Sequence, residues 1–400
     1  MKQILTLALA AVIATGANAE EKKDSVNKNK PVFTVVKENK ITSIKDQSRS
    51  GTCWAYSTLS FFESEILRNT GKTYDLCENF VASKTYMDRA IASVRMHGDI
   101  SFSQGGSSYD PLYCAINYGL CPEEAMPAPG TPQGDSLNNF DEFFNVMTPY
   151  VEGIAKSNSK KLTPAWKKGL QGILDAYLGE CPKEFTYEGK KYTPQSFAQS
   201  LGLNWDDYVS ISSFTHHPFW KPFVVEVQDN WRWKQSYNVP LDDMMRIIDN
   251  AINEGYTIMW GGDVSEDGFT RKGLGIAYDT KKVQSMAGSD ADRWLRLSAT
   301  EKNHKFDSLG INAPEIVPTQ EMRQEAYDNW ETTDDHGMHL YGIAKDQNGR
   351  EYYMVKNSWG EFGDYKGTWY MTKAFIAYKT MDFMVNKNAI PSDIRKKLGI

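Results

Sequence analysis

Gln47-Ser48-Arg49-Ser50-Gly51-Thr52-Cys53-Trp54 is the stretch from which the rest of the chain can be read. Thr52 is a helix-capping residue type, and Ala55, Leu59, Phe62 and Ile66 follow at spacings that place them on one apolar face. The pattern predicts a helix from Cys53 to about Arg68. A thiol is a useful nucleophile only as thiolate, and one in the first turn of a helix feels the positive end of the helix dipole. Gly51 lets the backbone turn sharply and come close to a bound molecule. Gln47 offers a side-chain amide that, paired with the backbone N–H of Cys53, can hold an oxygen becoming negative in a tetrahedral intermediate; such a donor typically lowers a barrier by about 3–4 kcal/mol. A Cys-Trp pair alone is weak evidence, because most lone cysteines are small core residues.

A nucleophilic cysteine needs a base. The histidines are His97, His216, His217, His304, His336 and His339. His336 opens Asp335-His336-Gly337-Met338-His339-Leu340-Tyr341-Gly342, which reads as the first strand of a hairpin. Asn348-Gly349 marks the tight turn, and Tyr352 to Lys356 the return strand. Beyond it comes Asn357-Ser358-Trp359-Gly360. An Asn side-chain oxygen can accept the far ring N–H of an imidazole and fix its tautomer, and Trp359 can shield that bond from water. His339, at odd spacing from His336 on the strand, is expected on the other face of the sheet.

Gln-x5-Cys-Trp, His-Gly-x4-Gly and Asn-Ser-Trp-Gly together resemble the papain superfamily of cysteine peptidases. Gln104-Gly105-Gly106 agrees, since in that superfamily the matching Gly pair runs along the cleft and bonds the substrate backbone. Within it the chain is similar to the bleomycin hydrolase and bacterial aminopeptidase C branch. The 283 positions between Cys53 and His336, Tyr118 to Pro127, and Met259 to Val264 carry that likeness, and Ser50 stands where papain has a disulfide cysteine. The resemblance implies an α+β, papain-like two-lobed fold with a large insertion. It implies catalytic Cys53, His336 and Asn357, with Gln47 in the oxyanion hole, and substrate contacts at Gly105, Gly106, Trp54 and Trp359. Six positions separate base and glycine in the family, as they separate His336 from Gly342. No cofactor or metal is implied. The branch's habit of closed hexamers raises a homo-oligomer as an expectation.

The bulk numbers fit a packed enzyme: 400 residues, 40% hydrophobic, 12% aromatic, 24% charged, net charge −6. The acidic balance excludes a basic stripe for nucleic acid. Lys2, the apolar run Ile4 to Ala14 and the small residues Ala17-Asn18-Ala19 predict a signal peptide over 1–19, hence export to a periplasm or medium, with no later span. The expected order is lead-in 20–40, helical Cys lobe 41–127, insertion 128–240 of loops and short helices, β lobe with His and Asn 241–390, and tail 391–400. A helix over Tyr109 to Tyr118, another over Leu241 to Asn253 and a strand over Thr257 to Trp260 are further expectations. Cys53, Cys77, Cys114, Cys121 and Cys181 are an odd number, so at least one thiol stays free, and their pairing is left open. His216 and His217 are adjacent, so on a strand they would point apart and could not share a metal; they read as packing or rim residues, and the stretch around Trp231 and Trp233 reads as core rather than a sugar platform. Asp334-Asp335 reads as a solvated acidic loop.

The resemblance also bears on specificity. In the branch the chain's own C-terminus lies in the cleft, so Ile400 is expected there, facing a substrate's free amine. Only 33 residues separate Ala19 from Cys53, too few for an inhibitory prosegment. The expected function is a cysteine aminopeptidase acting on peptides through a thioester. Its alternatives are a papain-like endopeptidase and, in another class, a non-catalytic peptide binder, which would have no need of Gln47, Cys53, His336 and Asn357 together.

Overall fold

The computed structural model describes residues 30–127, 137–280, 282, 298 and 309–400. The expected leader, residues 20–29 of the lead-in and His304 lie outside them. Helices are α1 (Cys53–Thr70), α2 (Glu78–Arg95), α3 (Tyr109–Asn117), α4 (Asp141–Ala155), α5 (Ala165–Leu178), α6 (Pro194–Ser200), α7 (Leu241–Asn253), α8 (Gln320–Asp328), α9 (Lys373–Lys379) and α10 (Ser392–Leu398). Strands are β1 (Thr34–Glu38), β2 (Phe185–Tyr187), β3 (Lys190–Tyr192), β4 (Tyr208–Ser212), β5 (Pro222–Val224), β6 (Gln235–Asn238), β7 (Ile258–Gly262), β8 (Phe269–Thr270), β9 (Leu274–Gly275), β10 (His336–Lys345), β11 (Glu351–Lys356), β12 (Thr368–Thr372) and β13 (Thr380–Asn386). This is an α+β fold.

All strands but the β2–β3 hairpin join one mixed sheet, in the order β5-β6-β4-β13-β7-β10-β11-β12-β9-β8, with β1 also paired to β10. β10 is central, and all of it except Lys345 is buried. A strand covered on both faces carries apolar residues on both, and the alternation sorts them. Met338 and Leu340 of β10, Ile258 and Trp260 of β7, and Phe383 and Val385 of β13 pack with α7, α9 and α10. Met259 and Met384 belong to the opposite core, built on α1 and α2. In α7, Leu241, Met244, Ile247, Ile248, Ala251 and Ile252 recur at helical spacing and are buried.

The segment expected as an insertion divides between the two sides. Phe143, Phe144 and Met147 of α4 and Leu170 and Leu174 of α5 extend the core of α1 and α2, whereas β4 to β6 lengthen the sheet. Thr52 occupies the N-cap position of α1, but no side-chain cap bond forms, because its hydroxyl shares a hydrogen with Ser50 Oγ at 2.6 Å.

The tail does not enter the groove between the lobes. α10 seats Ile394 and Leu398 against α7 and the far face of the sheet, Lys397 lies 4.2 Å from the Trp220 ring, and Ile400 packs on the same core. Ile394→Ala should therefore cost about 2–5 kcal/mol of stability, the usual range for emptying a buried aliphatic site, read as a lower denaturant midpoint. Removing Lys397 to Ile400 should act in the same way and leave any preference for free amines unchanged.

Candidate active site

α1 begins at the cysteine and runs across β10. At the crossing, a Cβ built on Gly337 would lie 2.7 Å from Ser57 Oγ, 3.1 Å from Met259 Cε and 3.4 Å from the Cys53 carbonyl oxygen. Only glycine permits that approach. It lets the Gly337 N–H donate to Cys53 Sγ, with the Trp54 N–H as a second donor. His336, one residue earlier, lines the same cleft as Cys53.

The imidazole is held from behind. His336 Nε2 is 2.9 Å from Asn357 Oδ1, which leaves Nδ1 as the nitrogen available to the thiol. Trp359 covers this bond, its ring centroid 4.9 Å from that of His336. His339 goes elsewhere, its Nδ1 2.9 Å from Ser60 Oγ in the α1 interface. Gln47 is buried: its Nε2 donates to the Ser50 carbonyl at 2.6 Å and its Oε1 accepts from Ser358 Oγ at 2.6 Å. Its second amide N–H makes no further bond among the described residues.

Trp54 is buried, donates through Nε1 to the Gln104 carbonyl at 3.0 Å, and lies so close to Gly106 that a Cβ there would sit 2.8 Å from its ring. Gly106 lines the cleft. Gly105 lies beside it, against the Asp229 carboxylate and under Arg89, which donates to its carbonyl. Of the residues expected at the site, Ile400 is not brought to it.

Burial dominates the electrostatics. It pushes the Cys53 thiol up to about 12; the Gly337 and Trp54 amides pull it down, and Asp334 and Asp229 add to the rise. Burial likewise lowers His336 to about 4, against the Asn357 bond. Burial thus opposes either charge taken singly, whereas a thiolate and an imidazolium formed together would each offset the other's desolvation.

Sequence reasoning did not find the acidic wall of this cleft. Asp229, Asp334, Asp335 and Asp382 line it, with Lys234 at the rim over the Tyr109 ring. Asp229 lies 3.4 Å from Arg89, Asp382 accepts from Ser210 at 2.7 Å, and Asp335 caps the Val264 and Ser265 amides. Asp334 is half-buried, lines the cavity, and has no hydrogen bond or ion pair among the described residues. Burial raises its carboxyl well above the usual range, helped by Asp229, Asp382 and Asp335; burial also raises Asp382, to about 6. The acids come from three separate segments, around positions 229, 334 and 382, so no local spacing announces them. The acidic loop is solvated at Asp335, which is exposed, while Asp334 is half-buried and lines the cleft. All five cysteines are free, and Trp231 is buried whereas Trp233 is exposed.

The His216–His217 reading also needs correction. The two residues lie in a bend after β4, not on a strand, and both rings turn to Glu226.

A helix-borne thiol, an imidazole and an Asn orienter in one cleft of an α+β fold define a cysteine peptidase. The sequence profile of the Peptidase C1-like family matches residues 2–313 and 316–399, and the chain belongs to that family. Aminopeptidase C of Lactobacillus delbrueckii subsp. lactis is 24% identical over 92% of this chain and 84% of its own length. Human bleomycin hydrolase is 20% identical over 93% and 86%. The crystal structure of PepW from Lactobacillus rhamnosis superposes with a TM-score of 0.64 at 19% identity, covering 92% of this chain and 84% of that one, and shares the fold.

Gly337→Ala should displace His336 from Cys53 and lower kcat/KM by about 10²-fold, the cost of an ångström-scale misplacement. Adding Ser57→Ala, which removes the nearest clashing atom, should restore part of the loss. Asn357→Ala should lower kcat by between about tenfold and 10⁴-fold, in steady-state assays, by freeing the imidazole.

Proposed function

We propose that this protein is an aminopeptidase that removes N-terminal residues from peptides through a thioester on Cys53. His336 is the base and then the acid, Asn357 its orienter, and Gln47 with the Cys53 N–H the oxyanion donors. The sulfur attacks the amide carbonyl as its proton passes to Nδ1; the proton is returned to the leaving amine, and water then releases the acyl group. General acid–base help of this kind contributes roughly 10²–10⁴-fold.

The observation that carries the exopeptidase reading is the unpartnered carboxyl of Asp334 in the wall beside Cys53, with Asp229 and Asp382 next to it. A half-buried carboxylate that faces other acids and has no cation beside it is unfavourable, and a substrate's α-ammonium relieves that on binding. Aminopeptidase C and bleomycin hydrolase, the names of its relatives, fit this reading. Export directed by residues 1–19 belongs to the same proposal, checked by whether the mature chain starts at Glu20. The docking of α10 away from the cleft favours a second reading, an endopeptidase, because an N-blocked chain would not meet the tail.

Aminoacyl reporters with free and with acetylated amines separate the two. The aminopeptidase reading expects turnover of the free form by wild type and none by Cys53→Ala; internal cleavage of acetylated peptides at equal kcat/KM would overturn it. Charge sets the pH dependence. Burial pushes the Asp382 carboxyl up to about 6, so kcat/KM for free-amine reporters should fall as pH drops through about 6. On the alkaline side it should fall as the ammonium deprotonates at about 8.

A further inference from the structure

Away from the catalytic pair, the bend after β4 gathers His216, His217 and Glu226. His216 Nε2 is 3.0 Å from Glu226 Oε2, His217 Nε2 is 3.3 Å from Glu226 Oε1, and the three ligand atoms lie within 4.8 Å of one another. The far side of His216 decides how this cluster is read. Its Nδ1 is 3.2 Å from Gln324 Oε1. That oxygen also accepts from the Thr215 N–H at 2.6 Å, while Gln324 Nε2 donates to Asp328 Oδ1 at 2.9 Å. With the amide so oriented, Nδ1 must be the protonated nitrogen. A neutral His216 then turns the Nε2 lone pair toward a carboxylate oxygen 3.0 Å away. Two lone pairs at that distance repel, so a positive centre belongs between them, either a proton or a metal ion.

We propose that His216, His217 and Glu226 bind one zinc-class divalent ion through two Nε2 atoms and a carboxylate oxygen, with water completing the shell. Two imidazoles and a carboxylate are a donor set that suits zinc, at about 2.0–2.2 Å per ligand after small side-chain closure. Gln324 is the outer acceptor that fixes the His216 tautomer, the part such acceptors play behind metal-bound imidazoles. The ion has a structural consequence for the cleft. Phe214, Phe223, Val225 and Met381 form a small core next to the site, and Val225 and Met381 also line the cavity. Glu226 is three residues before Asp229. An ion on Glu226 ties that wall to the bend.

The test uses the full chain carrying Cys53→Ala, so that zinc cannot bind the active-site thiol, titrated with zinc chloride alone in a calorimeter and a thermal-shift assay. One zinc per chain and a raised Tm are expected. Glu226→Gln and His217→Ala should each weaken binding at least tenfold and abolish the shift. Gln324→Leu, which leaves the ligands intact, should weaken it by about 10–100-fold. Affinity should fall as pH is lowered, because protons compete for the imidazoles. Absence of stoichiometric binding, or binding that both ligand variants leave unchanged, would overturn the site.

Discussion

The structure depends on one close approach, the first turn of α1 against the start of β10. A helix N-terminus and a strand can touch there because position 337 has no side chain, and Ser57, Met259 and the Cys53 carbonyl occupy the space a side chain would need. From this contact follow the amide donated to the sulfur and the placing of His336 in the same cleft. Residues nearly three hundred positions apart meet because a helix and a strand have been packed to backbone distance.

Charge buried beneath that contact ties the lobes together. Lys45 reaches Glu63, Asp75 and Glu78, with Glu63 and Glu78 themselves buried, and Lys356 of β11 donates to Thr42, whose hydroxyl donates to Glu63. Burial raises Glu78 to about 8 and lowers Lys356 to about 8. Buried pairs of this kind contribute little net stability compared with apolar packing, but removing one partner strands the other's charge. Lys45 and Lys356 thereby link the segment before α1 and strand β11 to the acids Glu63 of α1 and Glu78 of α2.

Much of this could be read from the chain. α7 starts and stops where its apolar spacing ends, and the β10–β11 hairpin turns around Gly349, whose φ of 82° suits glycine. The placement of Cys53 and His336 at one cleft, with Asn357 behind the imidazole, was legible because each sits in a local pattern with its own chemistry. Other features were hidden because they are made only by tertiary contact. α2, an 18-residue helix, was missed: its buried face includes Asn79, Ser83, Thr85 and Arg89, so polar residues blur the apolar stripe. The acidic cleft wall draws on segments around positions 229, 334 and 382, and the tail's resting place depends on what α7 leaves uncovered. His216 and His217 converge because the backbone bends, which the alternation assumed for a strand could not anticipate.

The central claim is that Cys53 reacts because His336, and no other histidine, takes its proton. It is tested most directly by intact-mass measurement after treatment with an aminoacyl chloromethyl ketone bearing a free amine. One adduct on Cys53 is predicted in wild type and in His339→Ala, and almost none in His336→Ala. Equal modification of the two histidine variants would contradict the account.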